Sequence, residues 1–320
     1  MVSRRLLRIK VLKTFYSYLK AESHSPTNAE KELAFSIKKT YDLYHYLLLL
    51  LLEIADYAEL KIDLGKQKHL PTKEEQNPNT KFISNAAIQV LRENEALKSY
   101  ITKHKLGWIE SSELVKKIYT HISESDYFKK YMATETSSFE EDKRLLVDII
   151  SNELDDHTEL YDLLEDQSIY WVDDVEFVLS MIVRTIKQLK LNQPSIAKLL
   201  PLYKNEEDQQ FAVRLLRRAI NEYDDYKPLI ERYVRNWEVE RIAFMDTILL
   251  QLAIAEAVEF PNIPIKVTID EYIELSKYFS TANSGTFING VLDKVIQELT
   301  MSKKIVKSGR GLVDTTPTTS

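Results

Sequence analysis

Six cations open the chain with no acid among them: Arg4, Arg5, Arg8, Lys10, Lys13 and Lys20 all fall within the first twenty residues. Cations at that density suit contact with the phosphates of a nucleic acid. Arg4, Arg5 and Arg8 stand at the start of an expected helix, where the helix dipole is also positive, and a polyanion would relieve that local repulsion. Tyr16 lies at the edge of the apolar arc of the same helix. Its ring is either core or a platform on which an unpaired base stacks. The expectation is that the three arginines project past the packed face and meet RNA, with Tyr16 beside them.

Other chemistry finds little support. Cysteine is absent, which removes disulfides, thiolate metal sites and cysteine nucleophiles and fits a reducing compartment. The histidines, His24, His45, His69, His104, His121 and His157, are scattered, so no metal ligand set is expected. Asp155-Asp156-His157 reads as a solvated helix end. Glu140-Glu141 are adjacent in sequence and point to different helix faces, so they make no acid–base dyad. No glycine-rich phosphate loop and no H-E-x-x-H occurs. The expectation is no catalytic residue, no cofactor and no metal, hence not an enzyme.

With 44% hydrophobic residues the chain can bury a core, and its 6 glycines and 9 prolines leave few tight turns. The net charge of −6 is unevenly placed. The first twenty residues and Lys303, Lys304, Lys307 and Arg310 near the end are basic, while the body between carries 33 basic against 48 acidic side chains. Such a balance suits a selective RNA contact better than bulk polyanion binding. No apolar run has the length of a membrane span, since the longest, Tyr46–Leu52, stops at Glu53. The acid-free start is expected to be the first helix of a cytoplasmic protein rather than a transit peptide.

The elements that would position these residues are helices throughout. Residues 3–20 place Ile9, Val11, Leu12, Phe15, Tyr16 and Leu19 on one arc, with Lys10, Lys13 and Ser17 opposite. Ser23–Thr27 is a break, and a long helix from Ala29 to Leu64 follows. A surface loop spans 65–80. Helices are expected at 81–105, 111–132, 138–166 and 172–190, with a hinge at Asn192–Pro194 and Pro201, then at 206–223 and 226–236. From Val239 to Val258 apolar residues cover every face, including Ile242, Phe244, Ile248, Leu249, Leu252 and Ile254, as in a helix buried on all sides. Pro261 and Pro264 break it. Thr268 with Glu271 reads as a capping box opening the next helix. Ser280–Gly285 forms a polar loop before a last helix, Phe287–Leu299, in which Gly290 is an internal glycine. No period-two stretch supports a sheet, so the fold expected is all-α.

The last hundred residues carry a run of motifs: Ile263-Pro264-x-Lys266-Val267, Ile269-Asp270-Glu271, Glu274-Leu275-Ser276-Lys277 and Phe287-Ile288-Asn289-Gly290-Val291-Leu292-Asp293. In this order and spacing they resemble the C-terminal half of the NusB transcription antitermination family. The resemblance covers residues 3–20 and about 206–299, and it implies a helical bundle that binds RNA without catalysis. It further implies a boxA-like single-stranded RNA, the ribosomal-protein partner NusE and the RNA polymerase antitermination complex, with no membrane. By resemblance alone Lys277 and Asn289 join the RNA contacts, and Phe287 offers the same choice between core and stacking as Tyr16. Family members are about half as long. The expected division is therefore 1–25 as the first helix with its basic segment, 26–200 as a helical insertion after it, 201–300 as the NusB-like core, and 301–320 as a basic, disordered tail. A second function stays open, a helical interaction scaffold with a NusB-like domain that does not bind RNA.

Overall fold

The computed structural model describes residues 1–136, 138–191, 199–234 and 243–312, and these are helical with no strand among them. In chain order the helices are α1 (Arg4–Lys20), α2 (Pro26–Lys66), α3 (Lys73–Gln76), α4 (Ala86–Arg92), α5 (Glu95–His104), α6 (Ser112–Glu124), α7 (Asp126–Met132), α8 (Phe139–Ile149), α9 (Thr158–Gln167), α10 (Val175–Gln188), α11 (Glu206–Asn221), α12 (Tyr223–Val234), α13 (Phe244–Glu259), α14 (Ile265–Phe279) and α15 (Ser284–Met301). They form two compact units. A terminal unit takes Val2–Ile37 and the chain from Tyr203 onward, and a middle unit takes Lys38–Leu202 with Met1.

Helix α13 is the post of the terminal unit, and α1, α11, α12, α14 and α15 all pack on it. Every residue from Ile248 to Ala257 is buried, Gln251 and Glu256 included. The apolar residues that cover all its faces cause this, because no side of such a helix is soluble. Val239 and Ile242, read as its beginning, lie outside the described residues. The helix ends at Glu259, two residues before Pro261, and α14 begins directly after Pro264.

That start corrects the expected capping box. Thr268 is the fourth residue of α14 and fully buried, and its hydroxyl donates to Glu256 Oε1 at 3.0 Å instead of capping a helix end. At the other end of α14 the polar loop is anchored from beneath. Asp246, buried in the first turn of α13, accepts from Ser280 Oγ at 2.6 Å and Ser284 Oγ at 2.9 Å.

The segment expected to be a disordered tail is held over part of its length. Lys307 Nζ donates to the carbonyls of Ala257 at 2.9 Å and Phe260 at 3.0 Å, taking up the orphan acceptors at the C-terminus of α13. Gly311 follows where nothing larger fits, since a Cβ there would stand 2.0 Å from the Pro261 carbonyl oxygen.

In the middle unit three expected helices each divide, and side-chain caps do the dividing. Asn94 accepts from Leu97 N and starts α5. Ser125 accepts from Phe128 N and starts α7. The third, 138–166, passes through a π-helical turn at Ile150–Leu154 and a left-handed Asp156 (φ 61°) before the His157 ring accepts from Leu160 N at 3.2 Å to open α9. His157 of the Asp155-Asp156-His157 group is thus a cap. The core of this unit centres on α2. Tyr44 shares a 2.6 Å hydrogen bond with Thr185, and the Tyr46 ring stacks on both Trp108 and Trp171.

Candidate nucleic-acid interface

The three N-terminal arginines do not project together. Arg8 is 3% exposed and forms a two-pronged ion pair with Glu256, Nε to Oε2 and Nη2 to Oε1, both at 2.7 Å. Thr268 and Tyr272 of α14 complete the shell of Glu256, the phenol donating to Oε2 at 3.2 Å. Burial pulls the Arg8 guanidinium down, but its hydrogen bonds and charge contact with Glu256 outweigh that and hold it above the ordinary arginine value. The same site drives the Tyr272 phenol well up, through burial first and the Glu256 charge next.

The physical reason for this correction is the helical repeat. Arg8 precedes Val11, Leu12 and Phe15 by three, four and seven residues, so it lies on the apolar stripe of α1. Lys10, expected on the opposite side, is buried too.

Arg4 and Arg5 are also engaged. Arg4 reaches Glu207 at 2.9 Å and Asp208 at 2.8 Å in the first turn of α11, and its guanidinium lies 5.4 Å from the centre of the Phe211 ring. Arg5 pairs with both carboxylate oxygens of Glu271, at 3.0 and 3.1 Å, and stays half exposed. Its pKa is raised by the hydrogen bond to Glu271 against a smaller burial cost.

A different stripe of α1 faces water. Lys13, Tyr16 and Lys20 are exposed and follow one another by three and four residues. Tyr16 meets Phe244, the first residue of α13, edge to face at 5.8 Å, and both rings are more than a third exposed. Lys20 Nζ sits 4.0 Å over the Phe244 ring, and Lys13 Nζ lies 6.0 Å from the Phe279 ring at the end of α14. Cations over accessible aromatic faces are the arrangement that stacks bases and follows a backbone. Lys277, exposed and paired with Glu274, precedes Phe279 by two residues.

The other resemblance-based residues fall elsewhere. Phe287 is buried in α15. Asn289 lines a separate groove of about 400 Å³ with Lys266, Ile269, Asp270 and Asp293. Phe244 and Phe279 carry no site signal of their own in the sequence, although the thirteen–sixteen–twenty spacing on α1 marks the outward stripe that they meet. Among the described residues no three His, Asp or Glu side chains converge to hold a metal, and no helix is long and apolar enough to cross a membrane.

Comparison with known proteins gives this architecture a family. The family model described as the NusB family matches residues 173–297. The match takes in α10 of the middle unit, ahead of the 206–299 stretch that the motifs mark, and leaves out residues 3–20. The transcription antitermination protein NusB of Salinibacter ruber is 39% identical over 114 residues, 36% of this chain and 71% of that protein. That of Chloroherpeton thalassium is 38% identical over 106 residues, 33% of this chain and 50% of the relative. That of Thermotoga maritima is 40% identical over 95 residues, covering 30% of this chain and 65% of the relative. No solved structure gives a significant match. The chain belongs to the NusB family, and it carries an extra helical region of about 170 residues ahead of the matched stretch.

Proposed function

We propose that this chain is an RNA-binding transcription antitermination factor without catalytic activity. In this reading it works in the cytoplasm, on a boxA-like single-stranded RNA, together with the ribosomal-protein partner NusE and within the RNA polymerase antitermination complex. The observation that carries the reading is the exposed Lys13–Tyr16–Lys20 stripe beside Phe244 and Phe279. Lys13 and Lys20 supply charge to phosphate, Tyr16 and Phe244 supply stacking surface, and Lys277 and the half-exposed Arg5 extend the cationic rim. Arg8 acts only by holding α1 in place, and Arg4 does so in part. Phe287, being buried, supports the fold, and Asn289 serves a separate surface.

The scaffold reading draws on one observation, that every N-terminal arginine already has a carboxylate partner within the chain. A fluorescence titration of the full chain with boxA-like RNA at several salt concentrations, with and without NusE, decides between the two. Replacing Lys13 and Lys20 by glutamine should flatten the slope of log affinity against log salt by roughly 0.7 for each phosphate no longer neutralised. Tyr16→Ala should lower affinity by about 1–3 kcal/mol while leaving that slope unchanged. Binding by both variants equal to the parent at all salt concentrations, or no binding by the parent, overturns the RNA reading in favour of the scaffold.

A further inference from the structure

The most exposed apolar side chains near the Trp108 and Trp171 turns share one support. Ile109 is 87% exposed, Ile169 76% and Val172 41%. Each follows closely on an element pinned to the same ring. Tyr46 stacks on Trp108 at 4.2 Å and on Trp171 at 5.4 Å, and both indoles are buried. Trp108 Nε1 donates to the Tyr46 carbonyl at 3.0 Å, and Gln167 Nε2, at the end of α9, donates to the Tyr46 hydroxyl at 2.9 Å. The turn bearing Ile109 and the turn bearing Ile169 and Val172 therefore sit on a rigid aromatic base. Apolar groups held out in water from such a base are what a partner buries.

Charge says what kind of partner. From 145 to 183 the chain has eleven Asp and Glu and no Lys or Arg. On α9, Asp162, Glu165 and Asp166 share one exposed face, and none of them forms an ion pair among the described residues. Asp166 stands in the last turn of α9, three residues before the exposed Ile169. A nucleic acid is repelled by such a surface, whereas lysine and arginine side chains are drawn to it.

We propose that this face of the middle unit docks a partner protein through a cationic segment that carries aliphatic side chains between its lysines or arginines. The aliphatic groups cover Ile109, Ile169 and Val172, and the cations meet the α9 carboxylates. The docking is independent of RNA binding by the terminal unit.

The test uses the full chain carrying Trp237→Phe, so that Trp108 and Trp171 are its only indoles. The probe is a synthetic helical peptide of leucine and lysine with its leucines on one face, and the control is the same composition scrambled. The ordered peptide should shift the indole emission and bind about tenfold or more tightly than the scrambled one. Ile109→Ser with Ile169→Ser should weaken it about tenfold at unchanged salt dependence. Asp162→Asn with Glu165→Gln and Asp166→Asn should weaken it similarly at low salt and flatten the salt dependence. All five positions are exposed, so the unfolding midpoint should stay where it is. The proposal fails if the ordered peptide does not bind, if the scrambled peptide binds as well, if both variants bind as the parent does, or if single-stranded RNA competes for the same site.

Discussion

The terminal unit buries an arginine against a glutamate, Arg8 on Glu256, whereas the middle unit buries carboxylates against neutral donors: Asp142 accepts from the Ala86 amide and the Tyr131 hydroxyl, and Asp174 from the Thr40 hydroxyl. The terminal unit has 22 basic and 21 acidic residues, and it uses several to join helices: Arg8 to Glu256, Arg4 to Asp208, Arg5 to Glu271, and Arg214 and Arg218 to Glu259. The middle unit has 21 basic against 28 acidic residues, and side chains such as Asn94 and Ser125 cap its helices. The same helical architecture is thus held by two chemistries. Where a buried carboxylate meets an arginine, a basic helix can lie on an apolar post; where it meets amides and hydroxyls, the cations are left for the surface.

The sharpest way to break this comparison is to remove one half of the buried pair. Arg8→Met should cost about 3–5 kcal/mol, because Glu256 is left buried without its cation. Adding Glu256→Gln should recover part of that stability, since the amide keeps partners in Thr268 and Tyr272. Chemical denaturation followed by circular dichroism measures both. An Arg8→Met variant as stable as the parent would remove the ion-paired half of the contrast.

Next in size is a pH effect confined to the middle unit. His45 is buried against Tyr41, Tyr44 and Tyr100, with Asp42 and His104 nearby. Burial pulls its pKa from 6.5 to about 4. The unfolded chain therefore binds a proton in a window where the folded chain does not. Stability from this group is complete above pH 6.5 and is lost as pH falls towards 4, by about 3 kcal/mol. His45→Phe should remove that part of the acid sensitivity, which unfolding curves at pH 7 and pH 4 would show as a smaller difference than in the parent.

The smallest effect expected is at a cap. Asn94→Ala should cost about 1 kcal/mol by freeing the Leu97 amide at the start of α5. A cost as large as that of Arg8→Met would put this single cap on a par with the buried ion pair of the terminal unit.

The parts of this design legible in the sequence are those set by local pattern. An apolar run with no polar face can only be a buried post, and α13 is one. The motif run from Ile263 to Asp293 points to the family without any coordinates. Spacing also contains the burial of Arg8, but the density of cations around it masks the register. Thr268 shows the converse limit, because a threonine three residues before a glutamate is a cap only at a helix start, and Pro264 already supplies one. The pairing of Arg8 with Glu256 joins residues 248 apart, and no local pattern encodes such a partner. Phe244 and Phe279 enter the candidate site for the same reason, being brought to α1 by tertiary packing alone.

The separation between Arg8 and Glu256 has a consequence for the order in which the chain matures on the ribosome. The middle unit is continuous from Lys38 to Leu202 and has all its parts once that stretch has emerged. Helix α1 is made before the middle unit, yet its ion-pair partner and the helices that shelter it are made after it. At roughly 5–20 residues per second, the 54 residues from Leu202 to Glu256 take about 3–11 s to synthesise. Through that interval the middle unit already has its own core while the apolar stripe of α1 still waits for its cover, so α1 is the segment a chaperone would meet exposed.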